Sequence, residues 1–229
     1  YSAGAGGTHY LSNGTGNIQY FGQPVYGLIS DGTTLVSGNY SGGVRTSTDG
    51  SIWTTRTSNT TSALYAGVYA SDKTNKYVFA GNTGFALTST DAITWAVRNI
   101  SASYVIPNSY GQGIAYGGGG NRFVMAGYVS ANSNGMAFTS TDGVTWTSTQ
   151  VNASGGPMYA AAASGLGTSA QQYAVAGHNG LLYTSTDGVS WVSRTTNVAD
   201  VFYGLSYGAG KYVGVTSNNY VRTSTDGIT

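Results

Sequence analysis

A seven-residue phrase, Ser-Thr-Asp-Gly/Ala-x-x-Trp, recurs along the chain and constrains its architecture more than any other feature. It spans Ser47–Trp53, Ser89–Trp95, Ser140–Trp146 and Ser185–Trp191, and a fifth copy, Ser224–Thr229, has the same opening without a Trp. The aspartates Asp49, Asp91, Asp142, Asp187 and Asp226 lie 39 to 51 residues apart. A period of that size marks a repeat architecture, in which each copy buries its apolar face only against its neighbours.

Each repeat reads as four short strands. The first couples a small residue to apolar ones, as in Gly67-Val68-Tyr69, Ala160–Ala163 and Gly204-Leu205-Ser206-Tyr207. The second is Tyr77–Ala80 or Tyr173–Ala176, the third runs into the phrase (Val44-Arg45-Thr46, Ala86-Leu87-Thr88), and the fourth leaves from its Trp. Gly, Asn, Asp and Ser clusters join them, and no 3.6-residue apolar period occurs, so essentially no helix is expected. Four antiparallel strands per repeat is the arithmetic of a propeller blade. The expected fold is all-β, a single five-bladed β-propeller of four-stranded antiparallel blades over residues 1–229. The blades span about 25–57, 64–99, 111–150, 158–196 and 202–229. The small residues of the first strands suit innermost strands converging on a narrow channel.

The fifth repeat lacks its Trp strand, and bare sheet edges are a liability. Residues 1–24 carry two alternating runs, Thr8–Ser12 and Asn17–Phe21, around the hairpin signal Asn13-Gly14. This segment, through Tyr1 or the hairpin, is expected to close the ring; residues following Thr229 are the alternative. The chain opens at Tyr1 without a methionine or signal peptide and stops inside a phrase, so a longer parent polypeptide is expected.

Charged residues make up 7% of the chain, against about 25% in ordinary soluble proteins. The net charge of +1 gives no electrostatic footprint for nucleic acid. No apolar run approaches the roughly 20 residues of a membrane helix, so no membrane insertion is expected. With no cysteine, there is neither a disulfide framework nor a thiolate metal site.

The phrase resembles the Asp-box, the bacterial-neuraminidase-type repeat Ser-x-Asp-x-Gly-x-Thr-Trp, in a form one residue shorter between Asp and Trp. Ala92 replaces the Gly of the other copies, and Ile52 stands where others have Thr or Ser. An Asp in such a turn accepts backbone N–H groups, the Gly takes a positive φ, and the Trp folds onto the blade. The five aspartates, with Trp53, Trp95, Trp146 and Trp191, are accordingly assigned structural roles.

Asp-box propellers include sialidases, and the resemblance implies a Tyr nucleophile paired with a Glu and three substrate-binding arginines. This chain has no Glu. Outside the boxes only Asp31, Asp72 and Asp200 remain, all in turn-like contexts, and Arg56, Arg98 and Arg194 fall on the outermost strands, where charge discourages edge pairing. Gly204–Gly208 fits a G-x-S-x-G elbow, but Ser206 lies on a repeating strand with no helix after it. Gly165–Ala170 lacks the βαβ context of a dinucleotide fingerprint. His9 and His178 have no spaced partner for a metal. Neither catalytic residues, metal nor cofactor are expected.

What remains is a surface rich in Tyr, Asn, Ser, Thr and Gly, suited to neutral polar ligands such as glycans or to packing against other proteins and copies of itself. Turn residues that vary between repeats are the candidate contacts: Tyr40, Tyr110, Tyr128, Asn134, Asn219 and Tyr220. Short boxes in a charge-poor, Gly/Ser/Thr-rich chain look like those of phage and bacterial surface proteins. The resemblance implies a virion-associated or extracellular adhesion module with virion or surface proteins as partners. A secreted five-bladed lectin and a sialidase-like hydrolase are the alternatives.

Overall fold

Alternation of buried and exposed positions turns each repeat into a small antiparallel sheet. In a computed structural model, which describes residues 10–12, 18–20, 22–74, 76–106, 113–153, 156–164 and 173–228, the strand Val25–Ser30 buries Val25, Gly27 and Ile29 and turns Ser30 to solvent. That period of two is what a half-buried strand requires. An N-terminal hairpin, β1 (Tyr10–Ser12) and β2 (Ile18–Tyr20), precedes the repeats. Blade one is β3 (Val25–Ser30), β4 (Leu35–Asn39), β5 (Val44–Ser47) and β6 (Thr54–Arg56). Blade two is β7 (Leu64–Tyr69), β8 (Tyr77–Gly81), β9 (Phe85–Ser89) and β10 (Ala96–Asn99).

Blade three adds a short strand: β11 (Tyr104–Val105) and β12 (Ile114–Gly117) share one edge of β13 (Arg122–Val129), followed by β14 (Gly135–Ser140) and β15 (Thr147–Asn152). Blade four is β16 (Met158–Ala163), β17 (Tyr173–Gly177), β18 (Leu182–Ser185) and β19 (Val192–Arg194). Blade five is β20 (Phe202–Gly208), β21 (Lys211–Thr216) and β22 (Val221–Ser224). Within a blade each strand pairs antiparallel with its successor, β11 aside. Among the described residues the only helical feature is a single 3₁₀ turn, His178–Gly180.

The core lies between blades. First strands pack on one another in order: β3 on β7, β7 on β12, β12 and β13 on β16, β16 on β20. Ile29, Val36 and Val44 of blade one meet Phe79, Leu87 and Trp95 of blade two in one cluster. Val124, Ala126 and Ala137 of blade three meet Met158, Tyr173 and Val175 of blade four in another. Burying each large side chain contributes about 1.5–3 kcal/mol, so these interfaces hold the blades in place. The small residues of the first strands make room for them. A Cβ on Gly67 would stand 2.5 Å from Ile29 and 2.7 Å from Phe79.

The five sheets form the expected propeller, with one difference at its end. The hairpin forms, but among the described residues β1 and β2 pair only with each other, and β22 pairs only with β21. No ladder joins either strand of the hairpin to β22, so the closing strand expected from Thr8–Phe21 is absent among the described residues; Tyr1 lies outside them. Nor do β20 and β3 pack together as neighbouring first strands elsewhere do. Val215 and Val221, whose counterparts Ala80 and Ala86 are fully buried, are 45% and 65% exposed.

Candidate functional site

Because successive strands run antiparallel, the turns after the first and third strands of a blade lie at one end, and the other connections lie at the opposite end. The boxes occupy the first end. In each, the Ser hydroxyl donates to its Asp, and Asp Oδ1 accepts backbone N–H groups two and, in four of them, three residues on. For Asp49 these are Ser51 and Ile52 at 2.8 and 2.9 Å, and for Asp187 Val189 and Ser190, both at 2.8 Å. In four boxes the Ser oxygen also accepts the Gly N–H, from Gly50, Gly143, Gly188 and Gly227. The N–H donors of Ser190 and Val189 hold Asp187 down to about 2. Those of Ile52 and Ser51 lower Asp49, Thr94 lowers Asp91, and the N–H groups of Thr145 and Val144 outweigh burial to lower Asp142.

The indoles close the motif. Nε1 of Trp53, Trp95 and Trp146 donates to the carbonyl of Gly50, Ala92 and Gly143 at 3.1–3.2 Å. Trp191 packs in the cluster between blades three and four, but its Nε1 is buried without a partner. Every box acid thus has its oxygen committed to its own turn, and each indole is set into the blade. Such groups brace their own turns.

The three remaining carboxylates are also committed. Asp31 accepts the hydroxyl of Tyr77 and the N–H groups of Thr33 and Thr34, which outweigh burial and hold it at about 2, while Tyr77 is pushed well above the usual phenol range by burial and that carboxylate. Asp200 bonds Thr216, Asn218 and Arg222. Asp72 accepts the Tyr116 hydroxyl and, at 2.8 Å, the Asn121 amide, with Lys73 at 3.8 Å. That set sits at the box-end mouth of the channel, a cavity of about 590 Å³ that Tyr116, Ala163 and Tyr207 also share with an inner cavity of about 180 Å³. The Tyr116 bond lowers Asp72, and burial and Asp72 raise Tyr116. Locked as carboxylate and phenol at neutral pH, the pair is a poor proton relay. Among the described residues no three His, Cys, Asp or Glu side chains gather as a metal site.

At the opposite end the first strands share a device that the repeat phrase does not announce. The register between first and second strands slips after Val25, Leu64, Met158 and Phe202. The extra residue is in each case a tyrosine: Tyr26, Tyr65, Tyr159 and Tyr203. A bulge re-aims the side chain it carries. Tyr26 of blade one meets Tyr65 of blade two edge-on, with ring centroids 5.5 Å apart, and Tyr40 at 6.2 Å. The sequence signal was present: a tyrosine directly before the small residue of four first strands.

The candidate contacts fall at this same end, on hairpins of three different blades. Tyr40, 51% exposed, caps the β4–β5 turn, where its N–H bonds the Pro24 carbonyl. Tyr128 and Asn134 flank the β13–β14 turn, and Asn134 bonds Gln150 at 3.3 Å. Asn219 takes φ +62 in the β21–β22 turn, and beside it Tyr220 lies under the Arg222 guanidinium at 5.0 Å. Tyr110 and His9 lie outside the described residues; His178 is an exposed turn residue. Arg56, Arg98 and Arg194 lie on outermost strands, yet each Nε also donates to a threonine of the adjoining third strand, Thr46, Thr88 or Thr184, at 2.7–3.1 Å.

The sequence matches no described family profile, and no curated relative was found. Solved structures do match. One is "YCF48 bound to D1 peptide", at 13% identity and TM-score 0.59 over 90% of this chain and 67% of that one. Another is virginiamycin B lyase from Staphylococcus aureus, at 13% identity and TM-score 0.59 over 87% and 69%. The WD40 β-propeller domain of Doa1 gives 12% identity and TM-score 0.64 over 95% and 69%. At such identities the likeness extends to the fold alone: this chain has the architecture of a β-propeller.

Proposed function

We propose that the chain is a non-catalytic binding propeller on the exterior of a virion or cell, whose bulge tyrosines and adjoining hairpins form repeated contacts for glycans. The observation that carries this reading is the recurrence of half-buried Tyr26, Tyr159 and Tyr203 at one bulge position, at the end that also holds Tyr40, Tyr128 and Asn219; Tyr65, at the same position in blade two, is buried and braces Tyr26 from below. Aromatic faces beside amides, in a chain with 7% charged residues, suit neutral hydroxyl-bearing ligands. The absence of Glu and the internal commitment of the described carboxylates speak against glycoside hydrolysis, which ordinarily needs a free acid and a nucleophile.

A glycan array probed with the chain tests the reading. Binding is expected at several sites, and Tyr40→Ala, at a position 51% exposed, should weaken the blade-one site about tenfold and lower the number of ligands bound per chain without abolishing binding. An array without hits ends the glycan reading. Turnover of a fluorogenic sialoside ends the non-catalytic one.

A further inference from the structure

Four blades end on an outermost strand whose far edge carries no ladder among the described residues: β6, β10, β15 and β19. A row of unpaired backbone N–H and C=O groups of that kind is a template for another strand, and charged side chains are a common guard against it. Three of the four strands carry such a guard. Arg56, Arg98 and Arg194 stand on β6, β10 and β19, each held by its bond to Thr46, Thr88 or Thr184. By contrast, β15 reads Thr-Ser-Thr-Gln-Val-Asn, with Thr149 where the arginine would be and no charge along its length. Blade three lies in the middle of the arc, flanked on both sides by four-stranded blades.

This edge is also ordered in advance. A bulge at Val151 ends the regular pairing with β14 and leaves Thr147–Gln150 as an unbroken run. Ser148 shares a hydrogen bond of 3.1 Å with the Tyr104 hydroxyl, whose ring packs on Phe138 at 5.1 Å, and Gln150 accepts the Asn134 amide at 3.3 Å. Those two side chains lie on one face of the strand, and Thr147 and Thr149 lie on the other. Thr147, Ser148 and Gln150 are exposed, and Thr149 is half-buried. Hydroxyls and amides both donate and accept. A run with both functions and no charge is complementary to itself. Antiparallel pairing about a two-fold axis sets its hydroxyls and amide against copies of themselves, whereas the same pairing at β6, β10 or β19 gathers two guanidinium groups at one seam.

We propose that the chain self-associates through β15, which pairs antiparallel with β15 of a second copy and joins the two third blades into one continuous sheet. The contact is short, so the dimer is weak and reversible. Because β15 runs from the box end towards the end that holds the bulge tyrosines, the two copies lie head to foot, and their tyrosine-bearing ends face opposite ways. The inference concerns the outer wall of blade three and does not rest on the glycan reading.

Sedimentation velocity of the chain at rising concentration, with amide exchange followed in parallel, tests it. A monomer–dimer equilibrium is expected, with exchange slowed along β15 in step with the dimer and unchanged along β6, β10 and β19. Thr149→Arg gives β15 the guard of the other blades, with Thr139 placed to receive the guanidinium as Thr88 receives that of Arg98. It should weaken self-association about tenfold or more, as should Gln150→Lys at an exposed side chain, while Thr149→Ser should retain it. Melting temperatures measured on the dilute monomers keep loss of pairing apart from loss of fold. Three outcomes would overturn the proposal: no association at any concentration, a dimer that both charged variants leave as tight, or slowed exchange that falls on β22 or another edge and spares β15.

Discussion

Ala92 sits where the other four boxes have glycine, at φ +61 against +73 to +76 for Gly50, Gly143, Gly188 and Gly227. An L-residue with a Cβ is strained there by about 1–2 kcal/mol. Ala92→Gly should therefore stabilise the chain by about 1 kcal/mol, visible as a raised denaturation midpoint, since relief of strain exceeds the entropy cost of glycine. An unchanged or lower midpoint would mean that the buried methyl contributes more than the strain removes. The acids make a second residue-scale prediction. Asp187 and Asp31 titrate at about 2 in the folded chain, below the ordinary 3.8. Their bonds contribute fully above about pH 4, and that stability is lost as pH falls towards 2. Melting temperature followed from pH 6 to 2 should hold steady and then drop below about 4, and Asp31→Asn should shallow the drop. The box acids were legible because the Ser hydroxyl and the N–H groups that hold them lie within three residues. Asp72 was not, since Tyr116 and Asn121 come from the next blade, 44 and 49 residues away.

Hairpins and strands carry the next set of consequences. The Arg–Thr bond ties a blade's fourth strand to its third ten residues back, and blade three, with Thr149 in place of Arg, lacks it. A double-mutant cycle on Arg98→Met and Thr88→Val should return a coupling of about 0.5–1.5 kcal/mol by urea unfolding. A coupling near zero would leave the arginines with only the edge-guarding role that their position on outer strands suggested. Gly67 concerns packing between elements. Gly67→Ala pushes a methyl into Ile29 and Phe79 and should cost about 1–3 kcal/mol by the same unfolding measurement, with no compensating gain in strand propensity. The sequence pattern showed that small residues recur on first strands and suggested channel space as the cause. In the structure the cause at Gly67 is the close approach of blades one and two. The bulges escaped notice because a slipped register leaves no mark in periodicity, only a tyrosine that looks like any other strand residue.

For the whole molecule, the repeat period alone carried most of the architecture: five sheets stacked through their first strands, with the core in the seams. The end of the arc was not legible, because whether β1 and β2 pair with each other or with β22 depends on long-range competition and not on local pattern. Blade five, with three strands and a face where Val215 and Val221 meet solvent, should be the least protected sheet. In native-state hydrogen exchange β20–β22 are expected to lose protection before β7–β9, whose side chains are mostly buried; equal protection would show that the last sheet is covered in solution. The self-contained box has a further consequence, for how such a chain is made. A turn that finds its partners within seven residues can close as soon as it leaves the ribosome, before any neighbouring blade exists. Near-identical repeats invite strand exchange, but each early-locked hairpin commits its two strands to one another. Synthesis can then proceed wedge by wedge, in the order the code is translated.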